Sequence, residues 1–348
     1  MSTTAVAIEA THRRLRFALA IIATLLVIAA LSAYNSVRGE PNVNLVEVWQ
    51  AIIEPLPAEE STAHFVIREL RLPRILLSMF CGMALGVAGV LLQDSLRNPL
   101  ADPGLLGIAQ GASFAVALAT IYPEIMPPIP RPLLCLIAGT LAGFAVVLFS
   151  GTVRDPVRVI LSGAILSAIF GVLTTAVILI APFDRTGNFG AYYRFVAGSV
   201  ATAEWDSLRM VAPWLVVGIP AALLSGRALN LLQLGDELAT GAGLNPFRAR
   251  IVLILIAMVL VAPVIAAIGP IAFIALFAPH IARGFLASSD ARQTLVVAAL
   301  CGAALLLAAD TLGRLLFFPA EIPAGIWTIV IVGPAAIALV GRRKGGGR

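Results

Sequence analysis

Lysine is nearly absent from this chain: of its 24 basic residues one is a lysine, Lys344, and it is followed by Gly345. A nucleotide-gripping P-loop ends in Lys-Ser or Lys-Thr, so this chain cannot build one. Any ATP-driven work must take its hydrolysis from another polypeptide. Charge of both signs is scarce, at 12% of residues, while 59% are apolar and the mean hydropathy is +0.97. That is the composition of a membrane-embedded protein. Cysteine and histidine are equally sparse. Cys81, Cys135 and Cys301 lie far apart inside apolar runs, without the paired spacing of a disulfide framework or zinc site. They read as small buried hydrophobes. His12, His64 and His280 are dispersed, so no metal cluster is expected.

What is present is a succession of long, unalternating apolar runs. Lipid offers no partner to unpaired backbone groups, so spans are helices or closed barrels, and the absence of alternation excludes the barrel. Ten spans are expected near 16–35, 74–93, 104–122, 132–150, 158–181, 208–226, 249–268, 273–287, 294–312 and 323–341. The stretch Phe17–Ala33, preceded by Arg13, Arg14 and Arg16, has the look of a signal peptide, but the spans behind it favour an uncleaved first helix. The formal charge of +5 does not point to nucleic acid, because the arginines are scattered between apolar runs rather than striped on one face. With the N-terminus inside, most basic residues fall on inner segments. Most acidic ones, including Glu40, Glu47, Glu54, Glu59 and Glu60, fall outside. The positive-inside rule then predicts that both termini are cytoplasmic. The expected fold is an all-α polytopic membrane protein with inverted-repeat-like halves. An internal echo supports the halves: Gly89 precedes Pro99, and Gly269 precedes Pro279, by the same interval.

Five segments carry more information together. They are Arg71-Leu-Pro-Arg74 with Gly82, Gly86 and Gly89; Gln93 with Arg97 to Gly104, then Gly107 and Gly111 to Ser113; Leu234 to Leu244; Gly269 to Arg283; and Asp310, Arg314 and Glu321 to Gly325. In order and spacing they resemble the permease subunit of binding-protein-dependent ABC importers for iron–siderophore complexes, haem and cobalamin, the FecCD type, over residues 68–340. The whole chain, 1–348, is then one permease domain.

That resemblance implies a ten-helix subunit of a bacterial cytoplasmic (inner) membrane. It would pair with a second copy or a paralogous permease around a central path. Two ATPase subunits would sit inside, carrying the ATP and magnesium, and a substrate-binding protein outside. This chain would bind no cofactor and perform no catalysis. The segments from Gly269 and around Asp310 look closest to ferric-siderophore permeases, especially those for catecholates, with haem and cobalamin as the alternatives.

Each motif also has a plain physical reading. Gly82, Gly86 and Gly89 share one helix face, where small residues let helices approach. Asn98, Pro99, Asp102, Pro103 and Gly104 break a helix twice; such a break sits against protein or a water-filled path, or is a capped turn with Asn98 and Asp102 as caps. With Gly107, Asn98 and Pro99 are candidate path residues. The polar segment 227–248 lies inside by the span order; the resemblance implies that it is the cytoplasmic coupling loop, with Leu234, Leu238 and Leu244 as anchors, Gly235 within it, and Asp236 and Glu237 as charges at the ATPase joint. Family matching places a cytoplasmic gate at Pro156 and Val157, where the small hydroxyl residues of some members are missing; Pro156 also suits a helix start. Arg71 and Arg314 fall on the external side, and the resemblance implies that they dock the binding protein. Asp310 and Arg314 stand four apart, so a local ion pair competes with docking and would ease the burial of Asp310. An ion-driven secondary transporter would want more intramembrane carboxylates than Asp310. A metalloprotease would need His-Glu-x-x-His, which His280 does not have.

Overall fold

The structure is a computed structural model that describes residues 3–39, 41–53, 62–104, 107–124, 129–150, 156–181, 194–318, 320–331 and 333–334. Every regular element among them is helical. In chain order these are α1 (Thr3–Val37), α2 (Leu45–Ile53), α3 (Thr62–Phe65), a π-helical turn (Val66–Arg71), α4 (Leu72–Ser95), α5 (Ile108–Ile121) and α6 (Arg131–Ser150). Then follow α7 (Pro156–Leu179), α8 (Trp205–Leu224), α9 (Gly226–Leu234), α10 (Asp236–Gly241), α11 (Pro246–Ile268), α12 (Ile274–Leu286) and α13 (Ala291–Leu315). A last helical stretch covers 324–331.

Seven helices are long and apolar enough to cross a membrane: Thr11–Val37, Thr62–Ser95, Arg131–Ser150, Leu161–Leu179, Trp205–Leu224, Pro246–Ile268 and Ala291–Leu315. They coincide with seven of the ten expected spans. The third and eighth are the short apolar helices α5 and α12, of 14 and 13 residues. At about 1.5 Å per residue these fall short of a hydrocarbon core of roughly 30 Å. Each is preceded by irregular backbone: the double-proline turn before α5, and 269–273 before α12, where Phe273 is held at φ 69°. The tenth span is helical over 324–331 and 333–334, and residues 332 and 335–341 lie outside the described residues. α4, α5, α6 and α7 therefore run long, short, long, long, and the series from α11 begins in the same way.

The Gly–Pro echo is not the carrier of that repetition. Gly89 lies inside α4 with Pro99 beyond its end, whereas Gly269 follows the end of α11 and Pro279 lies inside α12. The two segments pack on each other instead. A Cβ on Gly89 would stand 1.9 Å from the Ala275 carbonyl oxygen and 2.9 Å from Pro279 Cγ.

Close backbone approach is the packing device of the centre, as expected where lipid supplies no hydrophobic contrast between helices. A Cβ on Gly82 would meet the Gly302 carbonyl at 2.3 Å, and one on Gly86 the Ala298 carbonyl at 2.1 Å. α4 and α13 are thus in near-backbone contact. α1 joins this pair through Ile28, which clusters with Ile75, Ala303 and Leu307, and through a hydrogen bond between Asn35 and Thr311. Around α4 a single large core gathers α5, α6, α8, α11, α12 and α13, with Cys81, Cys135 and Cys301 as buried free thiols in its midst.

Candidate functional site

The polar segment after α8 folds as two short helices at an angle. α9 ends at Gly235, whose φ of 114° is open to glycine at little strain, and α10 starts at Asp236. Ala239 and half-buried Leu244 face the protein, the latter packed on the core. Leu234 and Leu238 are 63% and 62% exposed, Phe247 64%, and Glu237 is exposed beside them. The result is an exposed apolar surface with one exposed acid, which also borders the cavity beside α10. Of the expected anchors, Leu234 and Leu238 point outward and Leu244 inward.

Asp236 behaves differently from its neighbour. Its Oδ2 accepts from Arg250 Nη1 at 2.9 Å and its Oδ1 from Arg250 Nη2 at 2.6 Å. Oδ1 also accepts from Arg97 Nη2 at 3.1 Å. Arg250 in turn donates through Nε to the Ser95 carbonyl, at the last residue of α4, at 2.9 Å. Forked guanidinium–carboxylate bonds of this kind fix orientation as well as distance.

Beside α10 opens a cavity of about 1270 Å³, lined among others by Arg97, Asn98, Phe144, Val159, Asp236 and Phe247. Of the expected path residues, Asn98 lines it, whereas Pro99 is exposed and is not part of its lining. Gly107 is elsewhere: it is buried before α5 at φ 75°, against Val146, Gly163 and Leu166. Asn98 and Asp102 do not cap α5, whose N-cap is Gly107. Their Oδ1 atoms accept from Leu100 N at 3.0 Å and Gly104 N at 2.7 Å, closing two local turns. α7 starts at Pro156, as the proline suggested; the side chains of Pro156 and Val157, the expected gate, lie outside the described residues.

At the opposite end the ionic pairing departs from the local rule. Asp310 binds Arg74, not Arg314: Arg74 Nη2 reaches Oδ1 at 2.9 Å and Nε reaches Oδ2 at 3.0 Å. Arg74 Nη1 also donates to Glu321 at 3.1 Å. Arg314 donates through Nη2 to the backbone and side-chain oxygens of Asn35, each at 2.9 Å, and to the Arg38 carbonyl at 3.1 Å. The near approach of α4 to α13 decides this, because it brings Arg74 alongside Asp310. Arg71 is 5% exposed and donates to the carbonyls of Ser36 and Pro41 at 2.6 Å and of Val37 at 3.3 Å. It satisfies carbonyls left over at the end of α1, so it does not face outward as a free docking charge. Arg314 is half-buried, and Glu321 is the more exposed charge of the group.

Two inner-end groups had no clear signal in the sequence. Asp94 lies at the end of α4, buried, with Arg283 Nη2 at 2.7 Å; Arg283 Nη1 also binds Gln93 Oε1 at 2.8 Å. Gln93 Nε2 reaches the carbonyls of Ala275 and Leu276 at 3.3 and 3.0 Å. Pro279 has no N–H to return to Ala275, so Gln93 supplies the missing donor. Asp290 caps α13 through Arg292 N and pairs with Arg13 and with Asn230 Nδ2. Burial works against its charge. Hydrogen bonds from Asn230 and the Arg292 amide, with the charges of Arg13 and Arg292, nonetheless hold its carboxyl below the usual range. Asn230 Oδ1 also accepts from Ala291 N at 2.7 Å, tying α9 to α13.

This architecture has close counterparts. The chain is 35% identical over 332 residues to the Fe(3+) dicitrate transport system permease protein FecD of Escherichia coli (strain K12), spanning 95% of this chain and 100% of that one. It is 36% identical to the ferric enterobactin transport system permease protein FepD of the same organism, over 95% and 97% of the two chains. It is 34% identical to the hemin transport system permease protein HmuU of Yersinia pestis, over 94% and 96%. The fold superposes on an inward-facing conformation of a metal-chelate type ABC transporter with a TM-score of 0.77 at 27% identity, covering 92% of this chain and 98% of that one. A model of the FecCD transport family matches residues 19–342, from within the first span to the end of the last expected one. The chain is a multi-pass membrane transport protein and belongs to the FecCD transport family.

Proposed function

We propose that this chain is the permease subunit of a binding-protein-dependent ABC importer of a bacterial inner membrane, moving iron(III) held in a siderophore or similar chelate. The observation that carries the reading is the exposed surface at the junction of α9 and α10, where Leu234, Leu238 and Glu237 are exposed beside the cavity and Ala239 is buried. It is a surface shaped to seat in a cleft on a soluble partner. That partner is an ATPase subunit, which holds the ATP and magnesium this chain has no P-loop to bind. Two such subunits serve two permeases, the second being another copy or a paralogue. α7, whose Leu161, Ile165, Ile169 and Val172 are all exposed, offers apolar surface for that pairing or for lipid. Alternating access between the halves carries the substrate, and the cavity beside Asn98 and Phe144 is its inner mouth. At the other end Arg314 and Glu321 meet the substrate-binding protein, and Arg71 positions the end of α1 beneath them. Such rim charges steer the encounter more than they add affinity.

The relatives' identities of 34–36% do not separate chelate classes, so a catecholate preference gains no support over ferric citrate. Uptake by cells with and without this chain, each given labelled ferric citrate, a ferric catecholate, haem or cobalamin, tests the substrate. Loss of ferric-chelate uptake alone is the expected result. Loss of haem or cobalamin uptake instead contradicts the substrate and leaves the importer class standing.

A further inference from the structure

Two adjacent acids open α10, and the structure gives them different partners. Glu237 is exposed, whereas the Asp236 carboxylate, 45% exposed, is held by two arginines, one after α4 and one in α11. Arg250 lies one turn into α11 and reaches past Asp236 to the Ser95 carbonyl, one of the orphan acceptors that close α4. A guanidinium there also answers the negative end of that helix. Arg97, the second partner, has a φ of 49°, a left-handed conformation rare for a residue with a side chain. It stands immediately before Asn98 and Pro99, the break that leads to α5. The carboxylate of Asp236 therefore bonds the coupling helix at once to α11, to the end of α4 and to the strained turn at the cavity mouth.

We infer that Asp236 is a positioning residue of the coupling step: it transmits motion of α10 into α4, α11 and the Arg97–Pro99 turn, and it does not touch the ATPase. This rests on the reading of α10 as the ATPase-coupling helix. Strain held at a switch point by surrounding bonds is a recognised arrangement for two-state elements. Here the bond that holds Arg97 is also the bond to the moving helix. A displacement of α10 must then drag the turn with it or break the ion cluster.

The test is reconstitution of the full chain with its ATPase subunits and binding protein in proteoliposomes, reading three quantities: ATPase retention, ATP hydrolysis and import of a ferric chelate. For Asp236→Asn the expected result is retained ATPase subunits and continued hydrolysis with import lowered by about fivefold or more, the lower end of ordinary inter-site coupling. The ATP consumed per chelate imported therefore rises. A merely structural role would lower hydrolysis and import together. Glu237→Arg is expected to lose the ATPase subunits. Wild-type stoichiometry in Asp236→Asn, or loss of its ATPase subunits as in Glu237→Arg, overturns the inference. If Glu237→Arg keeps both its subunits and its import, the reading of α10 itself fails. Should Asp236→Asn not insert, Arg97→Ala removes only the half-exposed arm of the cluster. An unchanged ATP-to-chelate ratio in that variant also overturns the proposal.

Discussion

Arg74 and Asp310 form a two-pronged ion pair across the narrow contact between α4 and α13, with Glu321 as a third member at its outer edge. Both members of the pair are largely out of solvent, their side chains 13% and 5% exposed. Removing Asp310 leaves buried Arg74 with only the more exposed Glu321 as counter-ion, a change that costs less than the roughly 3–5 kcal/mol of a wholly unpaired buried charge. Asp310→Ala is therefore expected to lower the thermal unfolding midpoint in detergent well below that of Arg314→Ala. If Arg314→Ala is the more damaging of the two, Arg314 and not Arg74 is the partner that matters.

Packing by glycine makes a sharp contrast testable. Gly86→Val places a branched side chain where a single Cβ already meets the Ala298 carbonyl at 2.1 Å, and backbone cannot yield there without separating α4 from α13. Loss of monodisperse protein on size-exclusion chromatography is expected. Gly171, in α7, has nothing within 4 Å of a built Cβ. Gly171→Ala should be tolerated and gain up to about 1 kcal/mol of helix propensity. A monodisperse Gly86→Val protein would falsify the close approach.

Gln93 and Pro279 should behave as a pair. Gln93→Met leaves the Ala275 carbonyl without the donor that Pro279 cannot provide, at about 1–3 kcal/mol. With Pro279→Ala also present, the helix regains its own N–H, and the two changes together should cost less than their sum. Thermal melts of the single and double variants check this, and strict additivity counts against the Gln93 assignment.

Much of this was legible in the residues. Hydropathy located the spans, because a helix in lipid must be apolar along a fixed length, and the spacing of Gly82 and Gly86 announced a packing face. The polar stretch from Leu234 marked the exposed segment. Pairings between distant residues were not legible. Asp310 and Arg314 satisfy the helical spacing rule, yet the partner that wins stands 236 positions away, and nothing in the local sequence ranks it. Asp236 and Glu237 are chemically alike and adjacent, and the pairing of the first depends on Arg250, 14 positions on in another helix, and on Arg97, 139 positions off. The matched Gly–Pro intervals misled for the same reason, since equal spacing along a chain says nothing about where helices end.

Acid stability should carry the signature of Asp290. Its carboxyl is held below the ordinary value by the Asn230 and Arg292 hydrogen bonds and by the charges of Arg13 and Arg292, against the opposing effect of burial. A depressed folded value means the stabilisation is fully present above the unfolded value, about 3.9, and is lost as pH falls through the lower folded value. Asp290→Asn should therefore unfold more readily than wild type at neutral pH, with the gap closing on acidification below about pH 4. Unfolding midpoints at a series of pH values measure it, and a gap that stays constant contradicts the assignment.

The docking end can be separated from its structural role by salt. Arg314→Glu should weaken the complex with the substrate-binding protein more at low than at high ionic strength, as screening of exposed charges requires. Titration by surface plasmon resonance at two salt concentrations reads it. An equal loss at both would mean that the bonds of Arg314 to Asn35 and Arg38, and not docking, are what the variant removes.

The most direct measurement is accumulation of a labelled ferric chelate inside proteoliposomes that contain this chain with its ATPase subunits and binding protein. Import that requires ATP and the binding protein, and that ignores an imposed proton or sodium gradient, is the expected outcome. Import driven by such a gradient without ATP would contradict it and make the chain an ion-driven transporter instead.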